Sequence, residues 1–343
     1  MSVTIKDIAR KAGVAHTTVS RALRGSPLIA ADTTRRILEI AREMGYNPSA
    51  AARSLKTHRS KVIGVIVSNI DDPFFSEILQ GIEEVTLVSG YSVFMSASQR
   101  DPERERLIVQ TMTEHRIDGL IICSTSFSPR QSGHISQNGI PIVVINNQSA
   151  EDYRFSIYHD DVDGSRKLTR HLIDLGHRRI AYLGNLLSGR STQDRLRGFQ
   201  QEMHAAGLDV PEEYIHQVEG SLPESGLQGL QHFLGLPVRP TSILCYNDMM
   251  AFGVLKGLVQ AGIQVPSEIS VTGFDNIVFS DYTHPLLTTF EQPKRSIGNQ
   301  AARLVLELLE KEHPSQADME PKVIILQGRL LERESTAPPT PAH

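Results

Sequence analysis

The sequence has little that would hold a small secreted protein together or fix a chain in a membrane. Its 343 residues include two cysteines, Cys123 and Cys245, each inside an apolar run. We therefore expect two buried free thiols, which is typical of a reducing, cytoplasmic setting. No apolar run reaches the ~18 residues that a membrane helix needs. The charged beginning, MSVTIKDIARKAG, does not have the pattern of a secretory signal.

The motifs of common enzyme classes are missing as well. The chain has no G-x-S-x-G, H-E-x-x-H, C-x-x-C or G-x-G-x-x-G sequence, and its 13 histidines are scattered. GNLLSGRS (Gly184–Ser191) is close to the phosphate-binding loop G-x-x-x-x-G-K-[ST], but Arg190 is a poor replacement for its slim lysine. An NTPase interpretation would rest on this loop and on Asp248 and Asp275 as magnesium ligands. We expect instead no enzyme, no catalytic residue, no cofactor and no metal site.

Charge is divided unevenly along the chain. Residues 1–61 contain 12 Lys and Arg against 4 Asp and Glu, a balance of +8, whereas the remaining residues balance at −12. A small basic segment joined to a larger acidic one is typical of a polyanion-binding module attached to a body with another role. A solvated basic face without a partner is the alternative.

The basic segment has the spacing of three short helices. Apolar residues recur at helical intervals over residues 5–12, 16–23 and 32–44, and Gly13 separates the first two stretches. This order predicts a helix-turn-helix unit, whose second helix places its N-terminal side chains in the major groove. A three-helix bundle that binds nothing is the alternative. The side chains in the groove-facing positions are His16, Thr17, Thr18 and, one turn on, Arg21.

Two stretches of this segment carry a resemblance to a known family. TIKDIARKAGVAHTTVSRALRG (Thr4–Gly25) resembles the head of the LacI/GalR family of bacterial transcriptional repressors, and GYNPSAAARSLKTHRSKVIGVIV (Gly45–Val67) resembles its hinge helix and the start of its core. The resemblance implies that Leu55 wedges into the minor groove at the operator centre with Ala52 beside it, which kinks the duplex. The expected DNA-contacting residues are Thr4, His16, Thr17, Thr18, Ser20, Arg21, Ser49, Ala52 and Leu55.

Two local features of the head affect its helices. The hinge segment Ser49–Leu55 spans about two turns, which is marginal for an isolated helix in water. We therefore expect it to fold only with DNA and a partner hinge present, as a switch element. The third helix opens at Ala30, where the family usually has a small polar cap, and Asp32 in its first turn partly compensates.

From Val62 onward, apolar strand-like runs alternate with helical stretches in two similar sets. This alternation predicts parallel sheets with helices on both faces. The predicted fold is an N-terminal all-α helix-turn-helix head with a hinge helix, followed by an α/β core of two doubly wound parallel-sheet subdomains. The resemblance continues through GHRRIAYLG (Gly176–Gly184), the turn at Asn247-Asp248 and VPSEISVTGFDN (Val265–Asn276), and it implies a core similar to periplasmic sugar-binding proteins.

The expected domain boundaries follow from this organisation. Residues 1–47 form the helix-turn-helix domain, 48–60 the hinge and linker, and 61–335 the core that binds effector and dimerises. The resemblance implies three crossings between the core's halves, near Asp161, Phe290–Gln292 and Asp318–Val323. The first subdomain then comprises about 61–160 plus 292–319, and the second about 161–291 plus 320–335. The Pro/Thr-rich end from Arg333 to His343 is expected to be disordered, with 336–343 as a tail beyond the core.

Polar side chains follow the predicted strands, where open α/β sheets bind ligands. Aspartates, amides and an arginine suit vicinal hydroxyls, and Phe74 offers an apolar face to a ring. We expect Ser191 to cap the helix that carries Arg195, and an inward Arg190 would indicate an anionic effector. Asn146 stands where many relatives carry Asp, which leaves the ligand open. The expected effector contacts are Asp72, Phe74, Ser98, Asn146, Asp160, Arg190, Ser191, Arg195, Asn247, Asp275 and Gln292.

The sequence therefore predicts a homodimeric repressor that binds a near-palindromic operator in double-stranded DNA and responds to a small molecule in the core. A sugar or sugar acid is the first choice of effector, and a purine or nucleoside corepressor is the second. The sign of the response stays open, because inducers and corepressors use the same architecture. Control by a protein partner and a sugar-binding protein that does not bind DNA are the remaining alternatives.

Overall fold

The computed structural model describes residues 3–46, 59–123, 140–146, 154–187, 189–310 and 320–340. These residues fall into two compact units that divide between Ser60 and Lys61. The expected boundary after residue 47 and the expected hinge helix Ser49–Leu55 lie outside the described residues. No helix within the described ranges is long and apolar enough to cross a membrane.

The first unit contains the three expected helices. They are α1 (Ile5–Ala12), α2 (His16–Ala22) and α3 (Ala31–Glu43). Their inward faces meet at Ile8, Val19 and Ile37, each of them fully buried. Helix α3 begins after Ala30 without a side-chain cap, as predicted, and packing of its apolar face holds it in place.

The start of α1 is fixed by its own side chains. The Asp7 carboxylate accepts the backbone N–H of Thr4 at 3.0 Å and its hydroxyl at 2.6 Å. These bonds lower the pKa of Asp7 and place a negative charge at the positive end of the helix. The helix ends at Gly13, whose φ of 65° favours a residue without a Cβ atom.

The second unit alternates strands and helices along the chain. In order they are β1 (Val62–Val67), α4 (Phe74–Val88), β2 (Ser92–Ala97), α5 (Pro102–Glu114), β3 (Gly119–Cys123), β4 (Ile142–Ile145), β5 (Phe155–His159), α6 (Asp161–Asp174), β6 (Ile180–Asn185), α7 (Arg190–Ala205), β7 (Ile215–Val218), α8 (Pro223–Leu234), β8 (Ser242–Cys245), α9 (Asp248–Gln260), β9 (Ser270–Thr272), β10 (Thr289–Glu291), α10 (Lys294–Glu310), β11 (Lys322–Leu326) and β12 (Arg329–Leu331).

Two parallel sheets organise these elements, as expected. The first subdomain has six strands in the order β11-β5-β4-β3-β1-β2, and the second has four in the order β7-β6-β8-β9. The central strands read as nearly continuous apolar runs because helices cover both faces of each sheet. Cys123 and Cys245 are buried free thiols, as predicted, and burial raises the pKa of Cys123 to about 12.

The predicted position of the third crossing between the subdomains is wrong. The expectation put it at Asp318–Val323 and assigned 320–335 to the second subdomain. Strand β11 instead pairs in parallel with β5 in the first subdomain, and the chain crosses at Gln327-Gly328 to form the antiparallel β10–β12 pair. The crossing needs glycine, because a Cβ atom on Gly328 would lie 2.2 Å from the carbonyl oxygen of Glu291.

The expected disorder of the chain's end is also wrong over residues 333–340. The hydroxyl of Ser335, a fully buried residue, donates to the carbonyl of Val271 at 2.6 Å. Further on, the hydroxyl of Thr340 donates to the carbonyl of Ser267 at 2.6 Å. The Pro/Thr-rich composition was interpreted as disorder, but short polar side chains here bond to the edge of the second subdomain.

Candidate functional site

The exposed face of α2 carries three of the expected DNA contacts. His16, Thr17 and Arg21 are exposed, whereas Thr18 and Ser20 are half-buried. The Ser20 hydroxyl accepts a bond from Arg24 Nη2 at 2.9 Å. Thr4 is engaged by Asp7 at the start of α1. Ser49, Ala52 and Leu55 lie outside the described residues.

A narrow cavity lies between the two subdomains, at the carboxyl ends of the strands. Seven of the expected effector contacts line it: Asp72, Phe74, Asn146, Ser191, Arg195, Asn247 and Asp275. Five lining residues were not expected: Ser68, Phe75, Arg100, Ser221 and Tyr246. Both subdomains contribute, so any change in the angle between them alters the cavity.

Arg195 is held on all sides before any ligand arrives. Its Nε donates to Asp161 Oδ1 at 2.8 Å and its Nη1 donates to the Tyr246 carbonyl at 2.6 Å. The guanidinium carbon lies 3.8 Å from the centre of the Phe274 ring, a cation–π distance. Burial by itself disfavours the charged guanidinium, but the negative charge of Asp161 outweighs it and raises the pKa of Arg195. Arg195 is therefore a fixed donor of defined direction.

Two carboxylates face the cavity from opposite subdomains. Asp72 Oδ1 accepts the backbone N–H of Phe74 at 3.0 Å, and Asp275 Oδ1 accepts Gln292 Nε2 at 2.6 Å. No hydrogen bond to the Oδ2 atom of either is found within the described residues. Burial raises the pKa of Asp72 and, further, that of Asp275, which also lies near the negative charges of Asp248 and Asp72. The two oxygens are thus acceptors without a protein donor.

Three lining residues have left-handed backbones. Arg100, Asn146 and Asp275 have φ angles of 58°, 59° and 116°, which for side chains other than glycine cost about 1–3 kcal/mol each. Such strain concentrates at binding sites, where the fold holds a side chain in a direction that function requires. Arg100 belongs to the first subdomain, and its Nη2 lies 3.4 Å from the Ser221 hydroxyl of the second.

Four expected contacts do not line the cavity. Gln292 supports Asp275 from behind, and Ser98 accepts the backbone N–H of Arg100 at 3.3 Å. Asp160 caps α6 by accepting the Asp163 N–H at 3.0 Å. The Arg190 side chain is 43% exposed and pairs with Asp194, so it does not supply the inward charge that an anionic effector was expected to meet.

The loop GNLLSGRS ends differently from the expectation. Helix α7 begins at Arg190 after Gly189, without a side-chain cap, so Ser191 is not the expected capping residue. Ser191 is instead buried and lines the cavity. Residue 188 lies outside the described residues.

The unexpected lining residues had weak signals in the sequence. Ser221 lies in the loop after β7, where no motif marks it. Tyr246 directly precedes Asn247, which was identified as the strand-end residue, so Tyr246 itself was not considered. Ser68 directly follows β1 and could have been found by the same strand-end rule that found Asp72. Its hydroxyl is buried without a hydrogen bond in the part of the chain that is described. No cluster of three or more metal-ligating side chains occurs among the described residues.

Comparison with known proteins gives matches to both units. The family described as "Bacterial regulatory proteins, lacI family" matches residues 4–49, and the "Periplasmic binding protein-like domain" matches residues 169–336. The chain is 33% identical over 332 residues to the HTH-type transcriptional repressor PurR of Actinobacillus pleuropneumoniae serotype 3 (strain JL03), covering 97% of this chain and 98% of that one.

Two solved structures extend the comparison. The lac repressor dimer bound to operator and the anti-inducer ONPF has a TM-score of 0.86 and 28% identity, and covers 98% of this chain and 100% of its own. A LacI family transcriptional regulator from Enterococcus faecium with bound ribose has a TM-score of 0.71 and 26% identity, and covers 81% of this chain and 99% of its own.

Proposed function

The chain belongs to the lacI family of bacterial regulatory proteins and is a DNA-binding transcriptional repressor with an effector-binding core, and we propose that its effector is a neutral, polyhydroxylated molecule of monosaccharide size. The observation that carries this proposal is the pair of open carboxylate oxygens on Asp72 and Asp275, which face one cavity from opposite subdomains. A ligand that donates a hydroxyl to each would bridge the two subdomains. Vicinal hydroxyls are suitable donors to carboxylates.

The charge around the cavity favours a neutral ligand. The charges of the wall largely cancel, since Arg100 and Arg195 stand beside Asp72 and Asp275, and Arg195 is also paired with Asp161. An anion would find no excess of positive charge among these residues to offset the cost of removing it from water. We therefore place a neutral sugar ahead of a sugar acid.

A purine or nucleoside is the second candidate. It is favoured by the 33% identity to a repressor named PurR, and Phe74 and Phe75 offer aromatic surface on one side of the cavity. On the side of the second subdomain the aromatic residue is Tyr246, whose ring already stacks with the Arg195 guanidinium, 4.5 Å from the ring centre. The open acceptors on Asp72 and Asp275 suit hydroxyls of a ribose better than a base.

We propose that the protein binds DNA as a homodimer in the cytoplasm. In the first subdomain, Phe94, Met95 and Leu107 are 51%, 43% and 59% exposed, the first two on the edge strand β2. Phe279 and Tyr282 of the second subdomain are 53% and 80% exposed. Apolar patches of this kind mark protein contacts, and a two-fold partner would mirror a near-palindromic operator. The relatives are regulators, and we assign the core no catalytic step.

A thermal-shift screen tests the effector class. Pentoses and hexoses would be compared with their matched acids and phosphates and with nucleosides, each on the unaltered protein and on Asp72→Ala and Asp275→Ala. A true ligand at a hundredfold excess over its Kd stabilises by about 2.7 kcal/mol. We expect a neutral sugar to raise the melting temperature of the unaltered protein alone. Stabilisation by a nucleoside or by an acid, and not by its neutral counterpart, would overturn the proposal.

A further inference from the structure

A buried lysine joins the two subdomains directly behind the cavity. Lys294 begins α10 in the first subdomain, and its side chain is 1% exposed. Its Nζ donates to the carbonyls of Asp275 and Asn276, in the second subdomain, at 2.6 and 2.8 Å. The third neighbour is Glu77 Oε1 on α4, at 3.2 Å. An ammonium has three N–H donors, so the three acceptors satisfy it completely.

The helix that carries Lys294 is closely packed against α4. Helices α4 and α10 pack so closely that a Cβ atom on Gly81 would lie 2.2 Å from the Arg295 carbonyl oxygen, and one on Gly298 would lie 2.0 Å from that of Ile78. The two helix backbones therefore approach too closely for any side chain larger than that of glycine at these two positions. The ammonium is therefore fixed relative to α4, which also carries Phe74 of the cavity wall.

The other end of the contact is a strained turn. Asp275 and Asn276 have φ angles of 116° and 50°, a conformation that must be held by its surroundings. The backbone N–H of Asp275 donates to the carbonyl of Phe290 at 2.8 Å. Arg333, from the second subdomain, donates to Asn276 Oδ1 at 2.9 Å. Two residues reach this turn from outside the second subdomain: Gln292, in the second crossing, donates to Asp275 Oδ1, and Lys294 donates to the two backbone carbonyls.

We propose that Lys294 is a positioning residue that locks the Asp275–Asn276 turn to the first subdomain and so sets the angle between the subdomains. It holds two carbonyls immediately behind the Asp275 carboxylate, so a ligand that pulls on Asp275 also pulls on the α4–α10 pair. The inference rests on the proposed function only in taking Asp275 as an effector contact. The locking itself needs no effector, so it is tested on the protein alone.

The test is a distance between the subdomains, measured by pulsed electron paramagnetic resonance on the full-length protein. Spin labels would be attached at Gln80→Cys on α4 and Gln228→Cys on α8, both exposed positions. The native cysteines are fully buried, so labelling is selective. In this background Lys294→Met removes the three donors but keeps the apolar stem. Arg333→Met is the matched control, because it removes a cation from the same turn without crossing between subdomains.

We expect Lys294→Met to shift or broaden the distance distribution by more than about 2 Å, the size of a distinct domain rearrangement, and Arg333→Met to leave it unchanged. Circular dichroism would establish that both variants are folded. If Lys294→Met does not fold, Glu77→Ala decides, since it removes the half-exposed acceptor and should shift the distribution less, in the same direction. An unchanged distance distribution in the folded Lys294→Met protein would overturn the proposal. If only Glu77→Ala folds, an unchanged distribution in that variant would overturn it. An equal change in Arg333→Met would do the same.

Discussion

Arg195 and Asp161 form an ion pair at 2.8 Å with side chains only 5% and 3% exposed. The pair joins α7 to the start of α6, next to the first crossing between the subdomains. Burial alone would raise the pKa of Asp161, but the charge of Arg195 outweighs this and the pKa is lowered. The guanidinium is thereby oriented at the wall of the cavity before an effector binds, so little ordering is needed on binding.

Asp161→Asn should destabilise the core strongly. Removing one partner of a buried ion pair costs about 3–5 kcal/mol, because Arg195 would keep only the more distant carboxylate of Asp275, at 3.5 Å. The free energy of unfolding would be measured in urea by circular dichroism, since the chain has no tryptophan. The control is Glu103→Gln, whose partner Arg106 lies at 3.1 Å in a pair that is 79% and 58% exposed. That change should cost less than about 1 kcal/mol, and similar losses in both variants would contradict the account.

Asp248 should make stability depend on pH. It is fully buried, and burial raises its pKa to about 6, although the Ile277 N–H and the Ser280 hydroxyl donate to it at 2.8 and 2.7 Å. A raised folded pKa adds stability below the unfolded value of about 3.9, and this is lost as pH rises through the folded value. Between pH 4 and 7 the unaltered protein should lose roughly 2 kcal/mol more than Asp248→Asn. Urea unfolding across this pH range measures it, and parallel curves for the two proteins would refute the effect.

Arg21→Met should weaken specific operator binding. Arg21 is exposed on α2 beside the expected groove-facing residues, and loss of a forked contact to guanine costs about 1–3 kcal/mol. The control is Arg35→Met, which removes the same charge from α3. Fluorescence anisotropy with operator and scrambled DNA at fixed salt separates the roles. Equal loss for the two variants on both DNAs would show that Arg21 acts only as bulk charge.

Leu55→Ala should reduce operator binding much more than binding to bulk DNA. A wedge acts only where a flexible base step can be kinked, so its removal should leave the electrostatic component intact. Competition between operator and non-specific duplex, monitored by gel shift, gives the ratio of the two affinities. An unchanged ratio would remove the wedge role that the resemblance implies.

The sequence predicted the elements and much of the cavity, for a physical reason. Asp72, Asn146 and Asp275 follow apolar runs, and in a parallel sheet every such position reaches the same edge. The strand-end rule therefore finds them without knowing the order of the strands.

Contacts that depend on side-chain direction were beyond the sequence. Nothing in RSTQDR shows that Arg190 turns outward to Asp194 while Arg195 turns inward. Ser221 and Lys294 carry no motif, because their partners lie on elements far away in the chain. The composition of residues 333–340 indicated disorder, although Ser335 is buried through bonds to a strand it meets only in the folded state.

The most direct test of the central claim is the operator affinity of Asp275→Ala with and without the sugar that the screen identifies. A coupling of about 1–3 kcal/mol changes operator affinity of the unaltered protein about 5- to 150-fold. Anisotropy titrations should show that change for the unaltered protein. For Asp275→Ala they should show unaltered operator affinity without ligand and no change with it. A variant that still responds to the sugar as the unaltered protein does would contradict control of DNA binding through this cavity.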